Sequence, residues 1–127
     1  MEPVACPVDN RFLVKASTIS GAGRGLFAAV NLASGERIEV IGPRVAAESL
    51  EDQCTSFADG YKFRVGEHLI IPLGISGMAN HSETPNLLKV IEGNRVYLEM
   101  ARPILAGEEL FLCYAPRARI HFEGIPQ

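Results

Sequence analysis

The chain has 127 residues, 47% of them hydrophobic and 21% charged, with a formal net charge of −3. This composition excludes the disordered and fibrous classes, and the length accommodates one domain built around one core. Dispersed Lys and Arg residues on a slightly acidic chain argue against direct nucleic-acid binding, which needs a basic face to neutralise phosphates. A basic protein or peptide is the electrostatically easier partner.

In chain order, residues 1–10 carry Pro3 and Pro7 and read as an N-terminal arm. The segment Met1–Pro7 has neither the basic cluster nor the apolar stretch of a secretory leader, so an intracellular protein is expected, cytoplasmic if bacterial. Period-two alternation over 11–16, 37–41, 68–73, 94–101 and 109–114 predicts short strands. Turn signals separate them at Gly21–Gly25, Ala33–Glu36, Gly42-Pro43, Gly66-Glu67, Glu92–Asn94 and Ala106–Glu108. Only residues 45–57 carry a helical period, with Leu50, Cys54 and Phe57 on one face and acidic residues on the other. The apolar run 69–75 is broken by Pro72 and Gly74 and is too short to cross a bilayer, so no membrane contact is expected. Residues 115–127, with Pro116 and Pro126, read as a tail. The expected fold is mostly β with one short helical insert and no internal repeat. Cys6, Cys54 and Cys113 form no C-x-x-C pair and read as free thiols, with no metal site.

Three segments carry chemistry. Gly21-Ala22-Gly23-Arg24-Gly25-Leu26-Phe27 crowds glycines into a turn, where backbone amides can approach and bind a carboxylate. The glycine spacing is not that of a dinucleotide fold, and no amphipathic helix follows. On glycine chemistry alone, a plain hairpin is the commoner meaning of such a loop. Asn80-His81-Ser82-Glu83-Thr84-Pro85-Asn86 offers amide and imidazole donors and acceptors that can read the edge of a base, or alternatively an Asx turn before Pro85. Gly107-Glu108-Glu109-Leu110-Phe111-Leu112-Cys113-Tyr114 runs from a turn through a strand to a tyrosine, a residue that by itself reads as packing.

In this order the three segments resemble the SET domain family: a G-x-G turn as Gly23-Arg24-Gly25, N-H-S-x-x-P-N over 80–86, and G-E-E-L followed shortly by Tyr114. The resemblance spans 11–114, with Tyr61-Lys62-Phe63 and Ile70-Ile71 falling where the family places a Tyr and a strand. It implies a β-clip-like fold of small curved sheets with a C-terminal pseudoknot, an exception to unthreaded topology. It also implies S-adenosylmethionine as cofactor and methyl transfer to a protein or peptide lysine. By the same carry-over, Gly23, Arg24, Gly25 and Leu26 would hold the methionine part through their backbone. Asn80 and His81 would hold the adenosine and amino groups, with Tyr114 closing the cofactor site. Tyr114 and Tyr61 would be the catalytic residues, and Tyr61, Phe63 and Leu112 would wall the lysine channel.

The sequence departs from many relatives in having Glu83 where they carry a cysteine, and in a tail from Ala115 to Gln127 without cysteine. No zinc is therefore expected. Residues 116–122 would close the channel either in cis or from the second subunit of a homodimer, as in small viral members. The alternative reading is a catalytically weak or inactive SET-like interaction module. Intact Asn80, His81 and Tyr114 favour the enzyme, since a site released from catalytic duty need not keep its geometry.

Overall fold

A computed structural model describes residues 9–59 and 62–113. Among the described residues, ten short strands form three small sheets, and one five-residue α-helix interrupts them. The first sheet has the order β1 (Phe12–Ala16), β2 (Arg24–Ala28), β10 (Glu109–Leu112), β7 (Asn80–His81). The second has the order β3 (Arg37–Val40), β9 (Arg95–Met100), β8 (Leu87–Glu92), and the third β4 (Arg44–Ala46), β6 (His68–Ile70), β5 (Phe63–Val65). All pairs are antiparallel except β10 with β7, which run parallel.

Strands form within all five expected segments, as β1, β3, β6, β9 and β10; burial alternates along β3 and β9, whereas adjacent residues are both buried in β6 (Leu69, Ile70) and in β10 (Glu109, Leu110). Along β9, Val96, Leu98 and Met100 are buried while Arg95, Tyr97 and Glu99 reach outward. Strand β8, which follows the N-H-S segment, was not among the expected strands. Its run Leu87-Leu88-Lys89-Val90-Ile91 does not alternate in hydropathy, yet it pairs with β9 along its whole length around the Gly93 turn. Main-chain pairing to a strong neighbour here overrides a weak local pattern. Leu26, Val40, Ile70, Leu87, Val96, Leu98, Met100, Ile104 and Leu110 join in one core beneath all three sheets. Each such aliphatic side chain stabilises the fold by about 1.5–3 kcal/mol when fully buried.

The helical insert is smaller than the sequence suggests. Residues 45–46 belong to β4, and helix α1 covers only Leu50–Cys54, followed by a 3₁₀ turn at Ser56–Ala58. Ser49 caps α1 by accepting from the Asp52 amide at 3.2 Å. The expected inner face is also corrected: Leu50 is 69% exposed, Cys54 is exposed, and Asp52 is buried. The reason is electrostatic. Lys62 Nζ, fully buried, donates to Asp52 Oδ1 and Asp59 Oδ1, both at 2.6 Å, and to the Asp52 carbonyl at 3.0 Å. A buried ammonium needs its counter-charges close, and this draws Asp52 inward while Glu51 stays exposed.

Two turns absent from the sequence reading as a pair are built alike. Asn31-Leu32-Ala33-Ser34-Gly35-Glu36 and Pro103-Ile104-Leu105-Ala106-Gly107-Glu108 join through a Leu32–Ile104 bridge. In each, the final glutamate accepts from the amide three residues earlier, Ala33 or Leu105.

Candidate active site

The three chemistry-bearing segments, far apart in sequence, occupy three neighbouring strands of the first sheet. Central β10 pairs with β2 on one side, Leu110 opposite Leu26, and with β7 on the other, Phe111 opposite Asn80 and Leu112 opposite His81. The chain therefore approaches Tyr114 alongside the Asn80-His81 pair. The Ser82 amide donates to the Leu112 carbonyl at 3.1 Å and extends this register past the strand.

The glycines of the turn before β2 have different tasks. Gly23 has a φ of 75°, a left-handed conformation that L side chains rarely adopt. Gly25 lies in ordinary strand geometry but has no room: a Cβ would collide with Glu109 Oε2 and sit 3.1 Å from Asn80 Nδ2. Leu26 is fully buried in the core, so only its backbone can serve a ligand.

Glu109 is the residue of this site that the sequence reading did not single out. Its buried carboxylate accepts from Ser17 Oγ at 2.7 Å, the Thr18 amide at 2.8 Å, Thr18 Oγ1 at 2.6 Å and Asn80 Nδ2 at 3.2 Å. Burial pushes this carboxyl up, but the donors from Thr18, Ser17 and Asn80 outweigh it and hold its pKa below the ordinary value. The available signals were its place in the G-E-E-L run of 107–110 and a charge set inside an apolar strand. The same Asn80 Nδ2 donates to the Arg24 carbonyl at 3.0 Å. Both amide hydrogens of Asn80 are thus committed to the protein, so its side chain meets a ligand through Oδ1, an acceptor.

Asn86, last of the N-H-S-x-x-P-N segment, is structural. Its side chain donates to the Glu109 carbonyl at 2.9 Å and accepts from the Phe111 amide at 2.7 Å, clamping β10 in place.

Between these parts lies a cleft of about 530 Å³. The glycine turn contributes Ala22 and Arg24, the 3₁₀ turn Ala58, the chain after β6 Ile71 and Pro72, and the segment into β7 Met78 to Asn80. This volume falls in the usual range of about 300–1,000 Å³ for small-ligand sites. Asn80 lines it; His81 is not among its described lining residues. Its imidazole Nε2 instead meets Glu83 Oε1 at 3.1 Å. Phe63 and Leu112 are buried in the main core and do not line this cleft either. Tyr61 and Tyr114 lie outside the described residues, as do the tail 115–127 and the arm 1–8.

The solved structures similar to this chain include chains of polycomb repressive complex 2. A chain of an active polycomb repressive complex 2 in the basal state is 25% identical, with a TM-score of 0.71. The match covers 82% of this chain and 15% of that one, so the present chain spans a small fraction of that protein's length. The Chaetomium thermophilum complex in an autoinhibited conformation, bound to S-adenosylmethionine, is 23% identical over 87% of this chain and 16% of that chain, with a TM-score of 0.70. A Plasmodium falciparum protein described as a candidate histone methyltransferase is 20% identical, covering 86% of this chain and 96% of its own, with a TM-score of 0.65. No curated protein matches the chain in sequence. The sequence matches the SET domain over residues 23–115, from the glycine turn to just past Tyr114. The chain belongs to the SET domain family.

Proposed function

We propose that this protein is an S-adenosylmethionine-dependent protein-lysine N-methyltransferase acting on a histone, a histone-like protein or another lysine-bearing protein. The observation that supports the reading is the adjacency of β2, β10 and β7, in which β10 runs between the strand of the glycine turn and the strand of Asn80, with Arg24 and Asn80 on the wall of one cleft.

The donor set suits an amino-acid-bearing nucleoside. Backbone amides around Gly23 to Gly25 meet its carboxylate. Asn80 Oδ1, aimed by the bonds of its amide to Arg24 and Glu109, accepts from its ammonium group. His81, whose imidazole meets Glu83, would contribute to holding the adenosine through its main chain. When bound, S-adenosylmethionine supplies a sulfonium methyl group open to in-line attack. The protein's part is to bring a neutral lysine amine to about 3–3.5 Å from that carbon. In this reading Tyr114 orients the amine through its hydroxyl, and Tyr61, Phe63 and Leu112 wall the lysine channel, Phe63 and Leu112 from within the core. On transfer, the lysine nitrogen would take the methyl group as its bond to sulfur breaks, and the amine proton would leave to solvent.

The test has two parts. Calorimetry of the purified protein with S-adenosylmethionine should show saturable binding that Asn80→Ala weakens by about 1–3 kcal/mol, the cost of orphaning buried polar groups. Incubation with labelled cofactor and a panel of Lys-rich proteins should then label lysine. Absence of binding removes the enzyme reading; binding without transfer to any substrate leaves the interaction module.

A further inference from the structure

His81 carries an imidazole that the cofactor cleft leaves unused. Side chains alternate along a strand, so the direction that takes Asn80 toward the glycine turn takes His81 the other way. There His81, Glu83 and Cys113 each present a ligand atom, and the three atoms lie within 4.8 Å of one another. The backbone that carries them is fixed. His81 pairs with Leu112, the Ser82 amide donates to the Leu112 carbonyl at 3.1 Å, and the Thr84 amide donates to Ser82 Oγ at 3.0 Å, shaping the turn that holds Glu83.

One imidazole nitrogen, one carboxylate oxygen and one sulfur form a borderline-soft donor set, which suits zinc and disfavours the oxygen-seeking Mg²⁺ and Ca²⁺. Zinc bonds of about 2.0–2.3 Å place tetrahedral ligand atoms roughly 3.3–3.8 Å apart. The His81 Nε2–Glu83 Oε1 separation of 3.1 Å is already near that spacing. Glu83 and Cys113 are exposed, and the sulfur lies within 4.8 Å of the other two ligand atoms, so the approach to bonding distance falls on side chains at the surface.

We propose that His81, Glu83 and Cys113 bind a zinc ion, with water in the fourth position. The set requires neither a cysteine at position 83 nor cysteines in the tail, whose lack was the ground for expecting no zinc. The ion links the turn after β7 to the end of β10, at the residue immediately before Tyr114. Binding displaces the Cys113 thiol proton to solvent, so affinity weakens as pH falls.

The chelator-treated full-length protein is titrated with Co²⁺ and then Zn²⁺, a readout independent of methyl transfer. The expected result is one equivalent of cobalt with a thiolate-to-cobalt charge-transfer band in the near ultraviolet, lost when zinc displaces it. Cys113→Ser should abolish the band and weaken zinc binding by at least about 10-fold, the loss that even outer-shell partners cause. Glu83→Gln should weaken zinc in the same direction, whereas Cys6→Ser and Cys54→Ser should leave the band intact. Because Cys113 is exposed, its serine variant should keep the parent's circular dichroism. No saturable binding, or a band that survives Cys113→Ser, overturns the proposal.

Discussion

Gly25 and, on the proposed function, Tyr114 are the positions where a single substitution should weigh most. The space that a Cβ on Gly25 would fill belongs to Glu109 and Asn80, both held by several hydrogen bonds and unable to move cheaply. Gly25→Ala should therefore cost about 1–3 kcal/mol of stability, the usual penalty for overpacking, and displace Asn80. Urea unfolding and cofactor calorimetry check the two effects, and an unchanged cofactor affinity would show that Asn80 does not hold the ligand. Tyr114→Phe keeps the ring and removes the hydroxyl. It should fold and bind cofactor as the parent does while transferring methyl groups roughly 10²–10³-fold more slowly, the scale of losing one transition-state contact. Single-turnover kinetics with labelled cofactor measures this directly, and parental rates would assign the chemistry to another group.

Among the elements, helix α1 is the one whose placement depends on charge more than on apolar burial. Lys62 ties Asp52 in the helix and Asp59 after the 3₁₀ turn to the strand that begins at Phe63. Its amide also donates to the Ala58 carbonyl at 3.1 Å, and Ala58 forms part of the cleft wall. Lys62→Met removes the counter-charge of two carboxylates while keeping most of the volume. Breaking a buried pair from one side should destabilise by about 3–5 kcal/mol and loosen the cleft wall, lowering cofactor affinity as well. The combination Lys62→Met with Asp52→Asn should recover part of the loss, because the two sites are directly coupled. Thermal melts of the single and double variants decide it; additive losses would mean that the ion pair does not hold the insert.

For the whole molecule, acid is the condition to which the fold should be most sensitive. Glu109 is held below its ordinary pKa by donors from Thr18, Ser17 and Asn80, which together overcome the opposing effect of burial. Asp9 is lowered by Arg11, Glu36 by the Ala33 amide, and Glu108 by Arg102. Each carboxyl titrates lower folded than unfolded, so its contribution is complete above about pH 5 and is lost as pH falls through the folded value. Urea midpoints should be flat from neutral pH down to about pH 5 and decline below it. Glu109→Gln cannot ionise there, so its acid limb should be shallower and its stability at neutral pH lower. A variant with the parent's full acid sensitivity would show that Glu109 contributes nothing to it.

The sequence by itself determined the β-rich class, five of the strands, the boundaries of most turns and the three motifs that mark a SET domain. Local signals suffice there, because alternation and turn chemistry act within a few residues. Tertiary structure decided what those signals cannot reach. It turned Asp52 inward and Leu50 outward, since the partner that reverses the helix face, Lys62, sits ten residues away. It made a strand of Leu87–Glu92 through pairing with β9, where the local pattern has no alternation. It gave Glu109 its place beneath Gly25 and split Asn80 from His81, one into the cleft and the other toward Glu83. These outcomes depend on which strands become neighbours, and a parallel pair such as β7 and β10 is set by packing of distant segments that no local window contains.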